Sequence, residues 1–165
     1  MKDFNIDLRK MLVYCLMVLS CFALACDDDD DDIDVLPDDE VEFDNIQLLG
    51  ANEVPAVTSS GSGTLNATYD RDTNIITYSV TWTLGNVSDN LTGMHFHGPA
   101  STTANAPVVI DITPVASNRT YQGSASGSTR PLTEAEEDEL LDGRWYLNVH
   151  STTYPNGELR GQLVD

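Results

Sequence analysis

Apolar and polar positions alternate along most of this chain. In "TYSVTWTL" (77–84), Tyr78, Val80, Trp82 and Leu84 alternate with Thr77, Ser79, Thr81 and Thr83. That is the period-two pattern of a strand with one buried and one wet face. "GTLNATYD" (63–70) reads as a second strand, and the polar "DRDTN" between the two suits a hairpin connection. Further strands are predicted at 45–50, 91–97, 107–113, 120–126, 144–150 and 158–164. Short strands punctuated by Gly, Pro, Asn and Ser predict an all-β fold: an antiparallel Greek-key or immunoglobulin-like sandwich of about eight strands. One segment breaks the alternation. "PLTEAEEDELLDG" (131–143) has Thr133 followed by Glu136, a capping box, then an acidic first turn and Gly143 as a stop. It predicts a short helix over 134–142, packed by Ala135, Leu140 and Leu141. The phrase "YPNG" predicts a turn with Pro155 and Asn156 at its centre and Gly157 in a left-handed bulge.

A different pattern fills the N-terminus. After Lys2, Arg9 and Lys10, an apolar run extends from Met11 to Ala25, broken only by Ser20. At about 15 residues it is short for a membrane span and suits a secretory signal. It ends in "ALAC", which resembles a bacterial lipobox and predicts cleavage before a lipidated Cys26; "VLSC", ending at Cys21, is the alternative. A plain signal peptide with incidental cysteines is the other reading. Residues 27–44 then carry twelve of the chain's 27 acidic groups, including six consecutive aspartates. Mutual repulsion with little apolar opposition predicts an extended, disordered tether. An acidic run behind a lipidated cysteine also resembles the surface-export signal of Bacteroidetes lipoproteins. The expected organisation is therefore a signal peptide over 1–26, a tether over 27–44 and one sandwich domain over 45–165. Its expected location is the cell envelope, lipid-anchored to the outer membrane and surface-exposed.

Charge and cysteine usage narrow the chemistry. The three cysteines (Cys15, Cys21, Cys26) and both lysines lie in the leader, so the domain has no disulfide and no thiol nucleophile. From residue 45 onward five arginines face 13 acidic residues, a formal net charge of 5 − 13 = −8. Such a domain lacks the basic stripe that nucleic acid requires. No Gly-rich phosphate loop, nucleophile elbow or carboxylate pair at catalytic spacing stands out, which favours a non-enzymatic module.

The histidines are the candidate chemistry. The chain has three, two in "MHFHGPA" (94–100) and one in "YLNVHSTTYPNGELRGQ". Alternation puts Met94 and Phe96 on one face of their strand and His95 and His97 on the other. In the same way Tyr146, Asn148 and His150 lie opposite Trp145, Leu147 and Val149, and Glu158 and Arg160 lie opposite Leu159 and Leu163. If strands 91–97 and 144–150 are neighbours, His95, His97 and His150 converge. Alternate residues on a strand are about 6.5–7 Å apart at Cα, which lets two imidazoles reach one ion. Three neutral imidazoles bind zinc or copper at about 2.0–2.1 Å and leave a position open. Glu53 or Glu158 would supply a carboxylate ligand or orient a ring from outside. The competing reading is a hydrogen-bonded network in which Asn148 and Arg160 brace the last hairpin and Glu53 pairs with Arg160.

Three phrases resemble the CHRD domain family: "LLGANEVPAVTSSGSGTLNATYD" (48–70), "MHFHGPA" followed by "PVVIDIT", and "LLDGRWYLNVHSTTYPNGELRGQL" (140–163). The resemblance implies fold and a secreted location more than function. Together with the lipobox, the acidic tether and the absence of a catalytic constellation, it leads to a domain that meets extracellular protein or glycan partners. The His-x-His strand is also similar to that of the copper/zinc superoxide dismutases, which are Greek-key sandwiches of like length. The cysteine pair, acidic zinc loop and remaining histidines of those enzymes are missing here, so this second similarity implies topology rather than dismutation. The expected function is a tethered, non-enzymatic binding or structural module. The alternative is a copper- or zinc-binding protein, with a metal-dependent enzyme as its extension.

Overall fold

The structure, a computed structural model, describes residues 39–164 apart from 114, 115, 117 and 118. The leader, both candidate lipidation cysteines and the tether up to residue 38 lie outside the described residues. Within them the alternation seen in the sequence becomes strands β1 (Glu40–Leu49), β2 (Ser62–Asp70), β3 (Ile75–Thr83), β4 (Leu91–His97) and β5 (Val108–Asp111). Strand β6 (Gln122–Ser128), helix α1 (Glu134–Leu141), β7 (Trp145–Ser151) and β8 (Leu159–Leu163) complete it.

All eight strands join one antiparallel sheet in the order β5-β4-β7-β8-β1-β2-β3-β6. The sandwich is thus a single sheet curled on itself rather than two separate sheets. Tyr78 on β3 meets Phe96 on β4 edge-to-face at 5.7 Å between ring centroids, although β7, β8, β1 and β2 lie between them in the sheet. The core sits inside this curl and is filled by Leu48, Leu65, Val80, Met94, Phe96, Trp145, Leu147, Val149 and Leu159, all without solvent exposure or nearly so.

Strand β1 starts at Glu40, five residues before the predicted 45. Val41 and Phe43 turn inward while Glu40, Glu42 and Asp44 stay exposed, an alternation that the density of acids conceals. A bulge between Phe43 and Ile46, with Asn45 at φ 54°, separates this extension from the rest of the strand.

The helix forms where its caps predict. Thr133 and Glu136 make the reciprocal capping box. Gly143, at φ +68°, closes the other end in a Schellman arrangement, with Arg144 N–H donating to Glu139 C=O at 3.0 Å and Gly143 N–H to Leu140 C=O at 2.9 Å. Leu140 is buried and Leu141 half-buried, but Ala135 is exposed and does not pack the helix as expected. Eight residues give barely two turns, and the apolar anchors Leu140 and Leu141 both sit in the last of them. The "YPNG" turn forms as predicted: Gly157 N–H donates to Tyr154 C=O at 3.1 Å and Gly157 takes φ +130°.

Candidate metal centre

The polar sides of β4 and β7 face the same way because the two strands pair antiparallel, with Gly93 opposite His150, His95 opposite Asn148 and His97 opposite Tyr146. Burying Met94 and Phe96 in the core turns His95 and His97 outward, and burying Leu147 and Val149 does the same for His150. One ring nitrogen from each histidine lies within 4.8 Å of the others. His95 Nδ1 and His150 Nε2 are 3.1 Å apart. Two nitrogens bound at tetrahedral angles to one ion would be separated by about 3.3 Å, so this pair already has nearly the needed spacing.

The opposite edges of two of the rings are held from outside. His97 Nδ1 lies 3.0 Å from Ala106 C=O, and His150 Nδ1 lies 3.0 Å from Pro155 C=O. A carbonyl only accepts, so both Nδ1 atoms carry the proton and both Nε2 atoms present a lone pair. His97 Nε2 is buried and has no partner. His95 Nε2 faces Asp111 Oδ1 at 3.7 Å across the β4–β5 pair. Burial keeps all three imidazoles below the ordinary histidine range, and neighbouring imidazoles repel further protons from His95 and His97. Neutral rings whose second nitrogen meets an acceptor, as His97 and His150 do here, are the usual form of histidine ligands to a metal. Gly93 makes room for this packing: a Cβ there would stand 2.8 Å from His95 Cε1.

The other sequence candidates divide. Asn148 lies among the histidines, and its Nδ2 donates to Glu53 Oε2 at 3.1 Å. Glu53 therefore hydrogen-bonds Asn148 rather than forming the expected direct pair with Arg160, which acts on it only through its charge. Burial pushes the Glu53 carboxyl up to about 7. Glu53 Oε1 and Asn148 Oδ1 are both buried without partners, and both crowd Gly157, where a Cβ would stand 2.7 Å from each. A proton on Glu53 would supply the donor these two acceptors lack. Glu158, fully buried, turns away from the imidazoles; its Oε1 accepts from Ser59 Oγ at 2.6 Å and Gly85 N–H at 2.7 Å. It fastens loops, and the expected ligand role is not where the structure puts its hydrogen-bonded oxygen.

Arg160, 1% exposed, spans the loop that leaves β4. It donates to Ser101 C=O, Ala104 C=O and Asn105 Oδ1 at 2.9–3.2 Å. Its guanidinium also lies 3.6 Å above the Tyr146 ring. On the histidine side, Tyr146 stacks on His97 at 4.9 Å with an interplanar angle of 6°. Asp111, Gly93 and the two carbonyls were not predicted from the sequence. Alternation along "PVVIDIT" could have placed Asp111 on a face, but nothing local indicates that β5 pairs with β4.

Among the described residues this trio is the one converging group of possible metal ligands, and no helix is long and apolar enough to cross a membrane. No curated protein and no solved structure matches the chain significantly. A family model does match: the CHRD domain, over residues 45–163. That span holds the histidine phrases, the Glu53 loop and the last hairpin, and so takes in the whole site just described. The chain belongs to the CHRD domain family.

Proposed function

We propose that this CHRD domain is an extracellular metal-binding module that holds one Cu²⁺ or Zn²⁺ ion through His95, His97 and His150. The observation that carries the reading is the outward tethering of the rings. Two Nδ1–H groups are directed at carbonyls while the buried Nε2 of His97 is left unpaired. A buried nitrogen acceptor without a partner costs roughly 1–3 kcal/mol, and an ion bound at that point removes the cost. Three protein ligands leave a position for water or an outside ligand. Elemental analysis of protein purified without a His-tag tests this: about one equivalent of metal is expected, and none in the His95→Ala/His97→Ala/His150→Ala variant. Equal metal contents in the two proteins would refute it.

A second reading is favoured by the 3.1 Å contact between His95 and His150. Here the imidazoles hydrogen-bond each other and brace a binding surface for extracellular protein or glycan. The same elemental analysis separates the two readings.

The placement proposed for either reading is a lipid anchor at Cys26, or at Cys21, followed by the acidic tether, on the outer face of the outer membrane. Protease added to intact cells should remove the domain. Protection until the outer membrane is breached would overturn surface display.

A further inference from the structure

Resting on the metal reading above, we propose that Tyr146 is the positioning residue of the centre, fixing His97 both by ring stacking and through the Ala106 peptide. Tyr146 is 2% exposed and yet belongs to the polar face of β7, so its burial is not that of a core residue. Its hydroxyl accepts from Ala106 N–H at 3.1 Å and donates to Ala106 C=O at 3.4 Å. One side chain thus grips both polar groups of a single residue in an irregular loop. The same Ala106 carbonyl accepts a hydrogen bond from His97 Nδ1–H at 3.0 Å. Where that carbonyl points decides which His97 nitrogen is bare, and Nε2 is the bare one.

The ring makes the second contact. Its parallel stack at 4.9 Å fixes the plane of the His97 imidazole, so hydroxyl and ring together fix its rotation and its tautomer. Arg160 holds the far face of Tyr146 at 3.6 Å and ties down residues 101, 104 and 105 of the same loop. Gln162 adds a bond from its Nε2 to Ala100 C=O at 2.9 Å. The "ELRGQ" stretch thereby acts on the centre through Tyr146 and the 98–107 loop rather than by touching the ion.

The test uses Tyr146→Phe in the mature chain. It keeps the stack and removes both hydroxyl bonds. Cu²⁺ titration should show about a tenfold weaker affinity, the low end of the range for losing an outer partner of a metal ligand, because the hydroxyl acts on His97 through the Ala106 peptide. The Cu²⁺ electron paramagnetic resonance spectrum should change with it, which a merely structural role would not predict. Wild-type affinity and an unchanged spectrum in the variant would overturn the positioning role and leave the metal reading standing. A wild-type protein that binds no metal would instead end both. If the variant fails to fold, Zn²⁺ titration of the wild type decides by NMR. The Ala106 amide and Tyr146 ring signals should shift while those of the core Tyr78 hold still, and stationary Ala106 and Tyr146 signals would overturn the proposal.

Discussion

Two halves of the same curled sheet treat their outer faces in opposite ways. Along β2 and β3 inward residues are buried, and nearly every outward one is exposed or half-buried, the usual condition of an antiparallel sheet with one wet face. Along β7 and β8 almost nothing is exposed on either face. The difference does not lie in the strands, which alternate equally well in sequence. It lies in the loops 50–61 and 98–107, which fold over the outer face of the C-terminal hairpin. On β3 a threonine or serine faces water and needs no partner. On β7 and β8 the equivalent positions hold Tyr146, Asn148, Arg160 and the neighbouring Glu158, each fixed by named hydrogen bonds. Covered polar faces are where ligand chemistry becomes possible, because desolvation leaves unpaired lone pairs and shifted proton affinities.

That contrast can be attacked by mutation. The largest effect is expected at the last turn. Gly157→Val forces a β-branched residue to φ +130° and drives its Cβ to 2.7 Å from Glu53 and Asn148. Strain and overpacking together should cost roughly 3–4 kcal/mol in denaturant unfolding. A loss below about 1 kcal/mol would mean that the covered face is looser than described. Glu158→Ala should cost roughly 2–3 kcal/mol, because it empties a fully buried position and removes two hydrogen bonds, from the Ser59 hydroxyl and the Gly85 N–H. An unchanged midpoint would show that water replaces the carboxylate.

Glu53 gives the contrast a pH dependence. Its folded pKa of about 7 lies above the ordinary 4.5, so the folded protein holds the proton more tightly. The associated stability is fully present below about pH 4.5 and is lost as pH rises through 7. Glu53→Gln imitates the neutral carboxyl, so it should match wild type near pH 5 and exceed it by about 2 kcal/mol at pH 8. The comparison cancels the opposing histidine contribution, which is present above their ordinary range and lost on acidification. Parallel curves for the two proteins would remove the buried proton. The smallest effect belongs to the open half: Thr81→Ala on the wet face of β3 should change stability by less than about 0.5 kcal/mol. A larger loss there would erase the distinction between the halves.

Local pattern carried much of this molecule into view. Each predicted strand exists, because a residue at every second position either fits the core or does not. The capping box and Gly143 bounded the helix through the backbone groups that a helix end leaves unpaired. The inward direction of Met94 and Phe96, and of Leu147 and Val149, sufficed to put His95, His97 and His150 on the polar sides of their strands.

What tertiary structure alone decided was adjacency and cover. Pairing of β4 with β7 and β5 brought three histidines and Asp111 together across 55 residues of chain or fewer. No short-range signal fixes which strands become neighbours, since every alternating strand offers the same backbone bonds. The same holds for the loops. Ala106 and Pro155 contribute carbonyls, which every residue possesses, so composition cannot mark them as important. Sequence determines which way each side chain points from its strand. Only the fold determines what it meets there, and at Tyr146, Glu53 and His97 that meeting is the chemistry.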